Sequence, residues 1–346
     1  MENLVSSWDG EAVISHFDKT TGTWMFIALH SSVLGIPTGG TRLRTYSRPA
    51  EGLRDAMRLG EGMTHKWAAL GLAMGGGKAV LAVPGAIHGD DRRGLLLRYG
   101  QLVQSLRGAF GTGEDLGISP QDMAVIAEAT EYVHGTRQDG GVTDPGPLTA
   151  RGVFEGIRAA VNDTLDLADL QGVRVLVQGA GDVGVPLCQH LAEAGATLFV
   201  ADPDPQRLTA AKERFGAQEV DSEAAYATEC EVFAPCAIGA VLNSTTIPQL
   251  RCRIVAGSAN NQLAEADDAA RLHERGIVYA PDYVINGGGA LAFARYSAGE
   301  HDLDRLMELM DEVGISVGSL LREARQRRES PATTSLRRVE ERLRQG

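Results

Sequence analysis

The most constraining stretch of the chain lies near its middle. Val173-Arg174-Val175-Leu176-Val177 is a β-branched run, and Gly179-Ala180-Gly181-Asp182-Val183-Gly184 follows at once. An apolar helical segment over 185–194 comes next, then a second strand-like run, Thr197–Val200, that ends at Asp202. A G-x-G-x-x-G set between strand and helix has a defined physical job. Gly179 permits the tight turn, Gly181 lets backbone approach a pyrophosphate, and Gly184 lets helix and strand pack closely. The helix N-terminus adds unpaired N–H groups and partial positive charge for the phosphates. Asp202 suits a ribose 2′-hydroxyl and repels a 2′-phosphate, so the pattern favours NAD over NADP. Asp182, Val183 and Pro203 complete this cofactor-binding set.

Further apolar strands are expected at Val232-Phe233, Ile254-Val255 and Ile277–Tyr279, separated by helical or polar stretches. Such βαβ repetition predicts an α/β fold with a doubly wound, Rossmann-type parallel sheet. With 346 residues there is room for about two domains of roughly 150 residues each. The first half reads as a separate α/β domain, with strands at 11–17 and 23–30 and the loop SSVLGIPTGG after them. A helix follows from about Pro49 to Trp67, then a short buried strand at 79–83, and a second helix over 95–106. A third helix, capped by Ser119-Pro120-Gln121-Asp122, is expected to run to about Tyr132. Gly135–Pro147, rich in Gly, Asp and Pro, reads as an interdomain linker. The expected division is 1–148 for a substrate-binding, catalytic and oligomerisation domain and 149–286 for the dinucleotide domain. Residues 287–346 are expected to form C-terminal helices returning to the first domain.

Several function classes drop out. A net charge of −12 argues against a general nucleic-acid binder. The tail from Arg322 is locally basic and reads as a solvated amphipathic helix end. Cys188, Cys230, Cys236 and Cys252 lack C-x-x-C spacing, and the histidines form no H-E-x-x-H, so no metal site is expected. The uncharged stretch Val232–Leu250 is broken by Pro235 and Pro248 and is not a membrane span. With no basic and apolar leader pattern at Met1, a cytoplasmic protein is expected.

Forty-two glycines exceed the usual ~7 % by about eighteen. One cluster, Gly75-Gly76-Gly77-Lys78, is not a P-loop, because Leu72 stands where the first glycine belongs and Ala79 replaces Ser/Thr. Lys66 stands twelve residues earlier. If the two ammonium groups converge, each lowers the other's pKa and a lysine becomes a usable base. Spacing alone leaves that open against two surface lysines, just as it leaves Glu114-Asp115 open as a plain turn.

The ordered stretches GGTR (39–42), GMTHK (62–66), GGGK (75–78), GEDLG (113–117) and GPLTARGV (146–153), then APCAIGAVLN (234–243), GSANNQL (257–263) and APDYVINGGG (280–289), carry a resemblance. Across residues 25–295 the chain resembles the NAD-dependent leucine/phenylalanine/valine dehydrogenases, relatives of glutamate dehydrogenase. The resemblance implies reversible oxidative deamination of an L-amino acid to a 2-oxo acid and ammonia, by a homo-oligomer. It implies that Lys66 binds the substrate carboxylate over a floor of Gly39 and Gly40. Lys78 is then the general base that activates water, and Asp115 pairs with the amino group and shuttles protons. Asn260 and Asn261 hold the nicotinamide or the substrate amine. Thr149, Cys236, Ala237 and Ala259 line the cofactor.

The side-chain pocket, assigned to Thr38, Met63, His134, Ala290 and Phe293, departs from the family pattern. Thr38 replaces an aliphatic residue or the lysine of glutamate enzymes, and His134, Ala290 and Phe293 are also unusual, as is Arg151. A non-glutamate substrate, larger or more polar than leucine, is expected. Two alternatives are an amine dehydrogenase and a catalytically silent NAD-binding regulator. Retention of Lys66 and Asn261 argues against the first, and intact Lys66, Lys78 and Asp115 against the second.

Overall fold

In a computed structural model, the strand–turn–helix alternation of the second half forms one sheet, and the first half forms another. The structure describes residues 2–134, 145–297 and 299–345. The chain divides into two units, Met1–Asp144 with Val339–Gly346, and Pro145–Arg338. Most of the stretch read as a linker, residues 135–144, lies outside the described residues.

Unit one contains α1 (Glu2–Ser6), β1 (Ala12–Asp18), β2 (Thr23–Ser31), β3 (Pro37–Thr45), α2 (Pro49–Ala69) and β4 (Gly75–Val83). It continues with α3 (Gly89–Ser105), β5 (Gly111–Glu114) and α4 (Pro120–Ala127). Its five-stranded sheet runs β1-β2-β4-β3-β5. The pairs β1–β2 and β2–β4 are antiparallel, while β3 lies parallel to both β4 and β5. Leu53, Ala56 and Met57 of α2 cover one face against Phe26 and Val80. Leu95, Tyr99 and Val103 of α3, with Met123 and Ile126 of α4, cover the other against Met25, Ile27 and Leu81.

Two stretches read as loops are strands. Pro37–Thr45 is β3, and β4 begins at Gly75 rather than Ala79, with all nine residues buried. Their glycines are there because backbone meets backbone. A Cβ on Gly39 would fall on the carbonyl oxygen of Gly77, and one on Gly76 on the backbone of Thr64 in α2. The cap at Ser119 is present as a full capping box with Asp122, but α4 stops at Ala127.

Unit two contains α5 (Pro145–Leu165), β6 (Arg174–Gln178), α6 (Gly184–Glu193), β7 (Thr197–Ala201), α7 (Pro205–Phe215) and β8 (Gln218–Glu219). Next come β9 (Val232–Pro235), β10 (Ile254–Val255), α8 (Asp268–Glu274), β11 (Val278–Tyr279) and α9 (Asp282–Ile285). The end of the chain is helical, with α10 (Gly288–Ser297), α11 (Leu303–Glu308), α12 (Asp311–Arg327) and α13 (Pro331–Gln345). The sheet order is β11-β10-β9-β6-β7-β8, with every described pair parallel. Numbered from β6 this is the 3-2-1-4-5-6 arrangement of a dinucleotide-binding sheet, whose crevice opens where the order reverses, between β6 and β9.

The C-terminal region departs from the expectation that 287–346 returns to the first domain. Residues up to Arg338 group with unit two, and only those from Val339 on group with unit one. The cause is packing on α5, whose Gly152 and Gly156 admit Val313 and Val317 of α12 at 3.1 and 3.5 Å from where a Cβ would stand. The basic tail also finds its own partner. Arg327, Arg337 and Arg338 converge on Glu323 at 2.9, 2.5 and 2.7 Å.

Two glycine substitutions on the α2–β4 layer should act in opposite directions. Gly76→Ala forces α2 off the sheet and is expected to cost about 2–3 kcal/mol. Gly62→Ala, on the same helix with open space around its Cα, should gain roughly 0.5–1 kcal/mol. Urea unfolding of the two variants checks the sign of each.

Candidate functional site

The parallel trio β4-β3-β5 brings together, within unit one, the residues that the sequence spreads over 78 positions, from Thr38 to Asp115. Lys78 sits in β4 and is only 5 % exposed. Asp115 follows the last residue of β5. The Lys78 Nζ stands 3.1 Å from Asp115 Oδ2. Gly40, opposite Gly113 in the β3–β5 register, makes this approach possible, because its missing Cβ would lie 2.8 Å from Asp115 Cβ.

Beneath the pair, the hydroxyls of Thr41, Thr112 and Tyr99 form a closed triangle with sides of 2.5, 2.6 and 2.9 Å. It pins β3, β5 and α3 together. Burial pushes the Tyr99 phenol up to about 12, so it serves only as a hydrogen-bonding hydroxyl. Burial also opposes ionisation of Asp115, but Lys78 and Arg42 more than offset it and bring its carboxyl down to about 2.

Lys66 lies in the last turn of α2, half-buried. Two residues before it, Thr64 rests against Gly76 of β4 and accepts or donates a 2.8 Å hydrogen bond with His30 Nδ1. The segments bearing Lys66 and Lys78 are therefore packed directly on one another.

Thr38, Met63 and His134 are also in unit one. Met63 Cγ stands 3.1 Å from the position a Cβ on Gly39 would take. The His134 imidazole covers Gly111, and Thr38 Oγ1 lies 3.1 Å from the same point. The backbone N–H of His134 donates to Thr112 O at 2.8 Å. Burial lowers the His134 pKa, which favours the neutral ring. Thr38 Oγ1 donates to Ile36 O, and Trp67 Nε1 donates to Thr38 O, each at 2.9 Å.

Unit two carries the remaining predicted residues. Gly179 has φ +104°, and Gly184 could bear no Cβ because the Gly179 carbonyl occupies that place. Gly181 is open, with only Arg207 Nη1 within 4 Å, at 3.8 Å, of its would-be Cβ. This is the cradle that a dinucleotide pyrophosphate requires, next to the N-terminus of α6. Asp182 and Pro203 are exposed, and Val183 precedes the first residue of α6. Asp202 is more enclosed than a ribose ligand needs to be. It is 6 % exposed, and its two oxygens accept Ala180 N–H at 2.8 Å and Asp204 N–H at 2.9 Å.

The loops after β9 and β10 form a second cluster. Cys236 N–H donates to Gln178 O at 2.7 Å, and Ala237 abuts Gly179. Ala259 N–H donates to Pro235 O at 2.9 Å. Asn261 holds a left-handed φ of 53°, and its carbonyl accepts Ala240 N–H at 2.7 Å. Asn260 is exposed, and its Oδ1 accepts Asn286 Nδ2 at 2.8 Å.

Asn286 was not among the predicted site residues, although it stands in the quoted APDYVINGGG stretch. It is 5 % exposed, it also reaches Ser258 O at 3.1 Å, and it leaves a buried Oδ1 without a hydrogen bond among the described residues. Arg42 and Arg207 were missed as well; an Arg after a glycine pair, or one helical turn past an acid, carries no signal by itself.

Thr149 lies on α5, and a Cβ added to Gly288 at the start of α10 would stand 3.2 Å from its Cα. Ala290 and Phe293 are half-buried on α10, in unit two. Arg151 is engaged in ion pairs with Glu155 at 2.7 Å and Asp311 at 3.2 Å, tying α5 to α12.

The family model for the Glu/Leu/Phe/Val dehydrogenase dimerisation domain matches residues 16–132, and that for Glutamate/Leucine/Phenylalanine/Valine dehydrogenase matches residues 201–295. The chain belongs to this family. It is 42 % identical to the leucine dehydrogenase of Geobacillus stearothermophilus, over 89 % of this chain and 84 % of that enzyme. It is 43 % identical to the L-tryptophan dehydrogenase of Nostoc punctiforme, over 81 % and 78 %. The crystal structure of that tryptophan enzyme superposes with a TM-score of 0.83, covering 100 % of this chain and 99 % of its own. The chain is thus an amino-acid dehydrogenase, an oxidoreductase acting on a CH–NH2 group. Among the described residues, no helix is long and apolar enough to cross a membrane.

The Asp115 ionisation sets a pH dependence. A carboxyl lowered in the folded state contributes stability that is present above its ordinary value and is lost as pH falls through its folded value. Wild-type protein should therefore lose stability between about pH 4 and 2 more steeply than Asp115→Asn. Melting temperatures across that range test the difference.

Proposed function

We propose that this chain catalyses the reversible oxidative deamination of an L-amino acid other than glutamate, giving a 2-oxo acid and ammonia, with NAD as the hydride acceptor. The observation that carries the proposal is the buried ion pair of Lys78 and Asp115. Hydrolysis of an imine needs a base for the attacking water, the substrate ammonium needs an anion, and a purely structural ion pair gains little from such burial. A bound nicotinamide supplies the hydride chemistry.

The chain's own residues do the rest. Lys66 holds the substrate carboxylate, and Gly39 and Gly40 leave space for the head group. Asp115, as the carboxylate, accepts a hydrogen bond from the amino group and orients it beside Lys78. Lys78, once neutral, takes a proton from the water that attacks the imine carbon, and returns one as the amine leaves as ammonia. Asn261 orients the substrate amine. Asn286 fixes the Asn260 amide by occupying its oxygen, so that the Asn260 NH2 is directed to the cofactor carboxamide. The open Gly181 and the α6 N-terminus take the pyrophosphate, Gly179 and Gly184 shape the turn, and Cys236, Ala237, Ala259 and Thr149 line the cofactor. Asp202 has a lone pair left on each oxygen for a ribose hydroxyl, and its charge disfavours a 2′-phosphate.

The polar wall made by Thr38 and neutral His134 beside Gly111 supports a side chain larger or more polar than leucine. We also infer a homo-oligomer, which the dimerisation domain named by the family model supports.

Two measurements test this reading. Lys78→Ala should lower kcat by at least about 10³-fold while NADH affinity, read by fluorescence titration, is retained; full turnover in that variant sinks the mechanism. A panel of L-amino acids assayed by NADH formation should give a higher kcat/KM for aromatic or polar side chains than for leucine, and a clear preference for leucine or valine refutes the pocket assignment.

A further inference from the structure

The Lys78–Asp115 pair is one end of a longer row of charges. The oxygen that faces Lys78 Nζ at 3.1 Å, Asp115 Oδ2, also accepts Arg42 Nε at 3.0 Å. Arg42 then extends Nη1 to Asp55 Oδ2 at 3.0 Å. That second carboxylate accepts the Tyr46 hydroxyl at 2.7 Å and Arg58 Nη2 at 2.9 Å. Charges alternate along the row from Lys78 to Arg58. The Arg42 and Asp55 side chains are each 12 % exposed and that of Asp115 is 18 %, so solvent does little to screen them.

The reaction gives this row a specific task. Lys78 must pass through its neutral form to work as a base. At that moment a carboxylate paired with Lys78 alone becomes an uncompensated buried anion, and burial drives it to bind the very proton that is in transit. A guanidinium beside it removes the problem, because arginine does not release its proton in a protein. We propose that Arg42, braced by Asp55 and Tyr46, is a positioning residue that keeps Asp115 ionised and aimed at Lys78 while Lys78 cycles through its neutral form. The inference rests on the reading of Lys78 as the base.

The residue types fit the task. A planar guanidinium offers Nε to one carboxylate and Nη1 to the other from fixed positions, whereas a lysine ammonium is a point charge on a flexible stem. Arg42 comes from β3, whose register with β5 is fixed by Gly40 opposite Gly113 and Thr41 opposite Glu114. Its guanidinium plane is set from the α2 side by Asp55. The groups acting directly on Asp115 are Lys78 from β4, Arg42 from β3 and the Leu116 N–H. Asp55 and Arg58 of α2, with Tyr46 and Arg44, bear on it through Arg42. The Asp115 carboxyl is raised by burial and brought down to about 2 by Lys78 and Arg42, so loss of either cation moves it up.

The experiment is a kcat–pH profile of the full-length enzyme, with NAD and its best L-amino acid, for wild type, Arg42→Gln, Arg42→Lys, Asp55→Asn and Lys78→Ala. Arg42→Gln should lower kcat at least tenfold with KM changed less than about threefold, and its acidic limb should rise by about one pH unit, because without the guanidinium the Lys78–Asp115 pair holds its proton more tightly. Arg42→Lys should recover part of kcat and hold the limb near its wild-type position, since a cation is restored without the two-pronged span. Asp55→Asn should lower kcat without raising the limb, because Arg42 then has Asp115 as its one anion. An Arg42→Gln enzyme that melts like wild type with an unmoved limb overturns the proposal. If Arg42→Gln does not fold, Asp55→Asn decides, and an unchanged kcat or a raised limb there overturns it. Lys78→Ala separates the two claims: full turnover in that variant removes the base assignment itself, whereas a dead Lys78→Ala beside a normal Arg42→Gln removes only the role of Arg42.

Discussion

Unit one is organised around one buried carboxylate. Asp115 can stand beside Lys78 only because Gly40 has no side chain to block it, and it can stay charged there only because two cations share its Oδ2. The rest of the unit supplies that arrangement. The parallel register pairs Arg42 with Val80, two residues past Lys78, and Thr41 with Glu114, next to Asp115, which brings the three side chains within reach; the Thr41–Tyr99–Thr112 triangle holds the strands in that register, and α2 presses Thr64 onto Gly76. Removing water from ion pairs costs several kcal/mol per charge, so such a row is a poor source of stability. Its retention is better understood as the cost of chemistry at a fixed place.

The second unit meets a different constraint with the same residue type. At Gly181 backbone lies open, whereas at Gly39, Gly75 and Gly76 it is bare so that other backbone can lie against it. The glycine excess therefore has more than one physical origin, since others, Gly172, Gly216 and Gly276 among them, stand in open space at positive φ. The loops after β9 and β10 do without glycine where it would be expected: the left-handed φ at Ala240 and Asn261 is borne by residues with side chains and tied by the Ala240–Asn261 backbone bond.

This distinction explains what was legible in the sequence. The run from Val173 to Asp202 could be read because every cue in it is local: a β-branched strand, a glycine turn, a helix and an acid at the end of the next strand. Ser119 with Asp122 was equally local, and the capping box formed. β3, β5 and the start of β4 were read as loops because PTGG, GTG and GGG have the composition of turns, and nothing local says that the glycines are there to admit a neighbouring strand. The pairing of Lys78 with Asp115 depends on strand order, which spacing does not encode. The bond of Arg42 to Asp115 spans 73 positions, and Asn286 reaches Asn260 across 26. For such pairs it was the family resemblance that drew attention to the right segments, and the geometry added partners that the motifs do not mention. Arg151, conspicuous in the sequence, is absorbed by Glu155 and Asp311.

With Lys78 and Arg42 both holding it, Asp115 should remain an anion throughout the working pH range. The most direct measurement is an infrared titration of the protein with ¹³C-labelled aspartate, taken as the difference between wild type and Asp115→Asn. A carboxylate band that persists from pH 8 down to pH 4, with no protonated-carboxyl band appearing, is the expected result. A midpoint at or above the ordinary aspartate value of about 3.9 would contradict it.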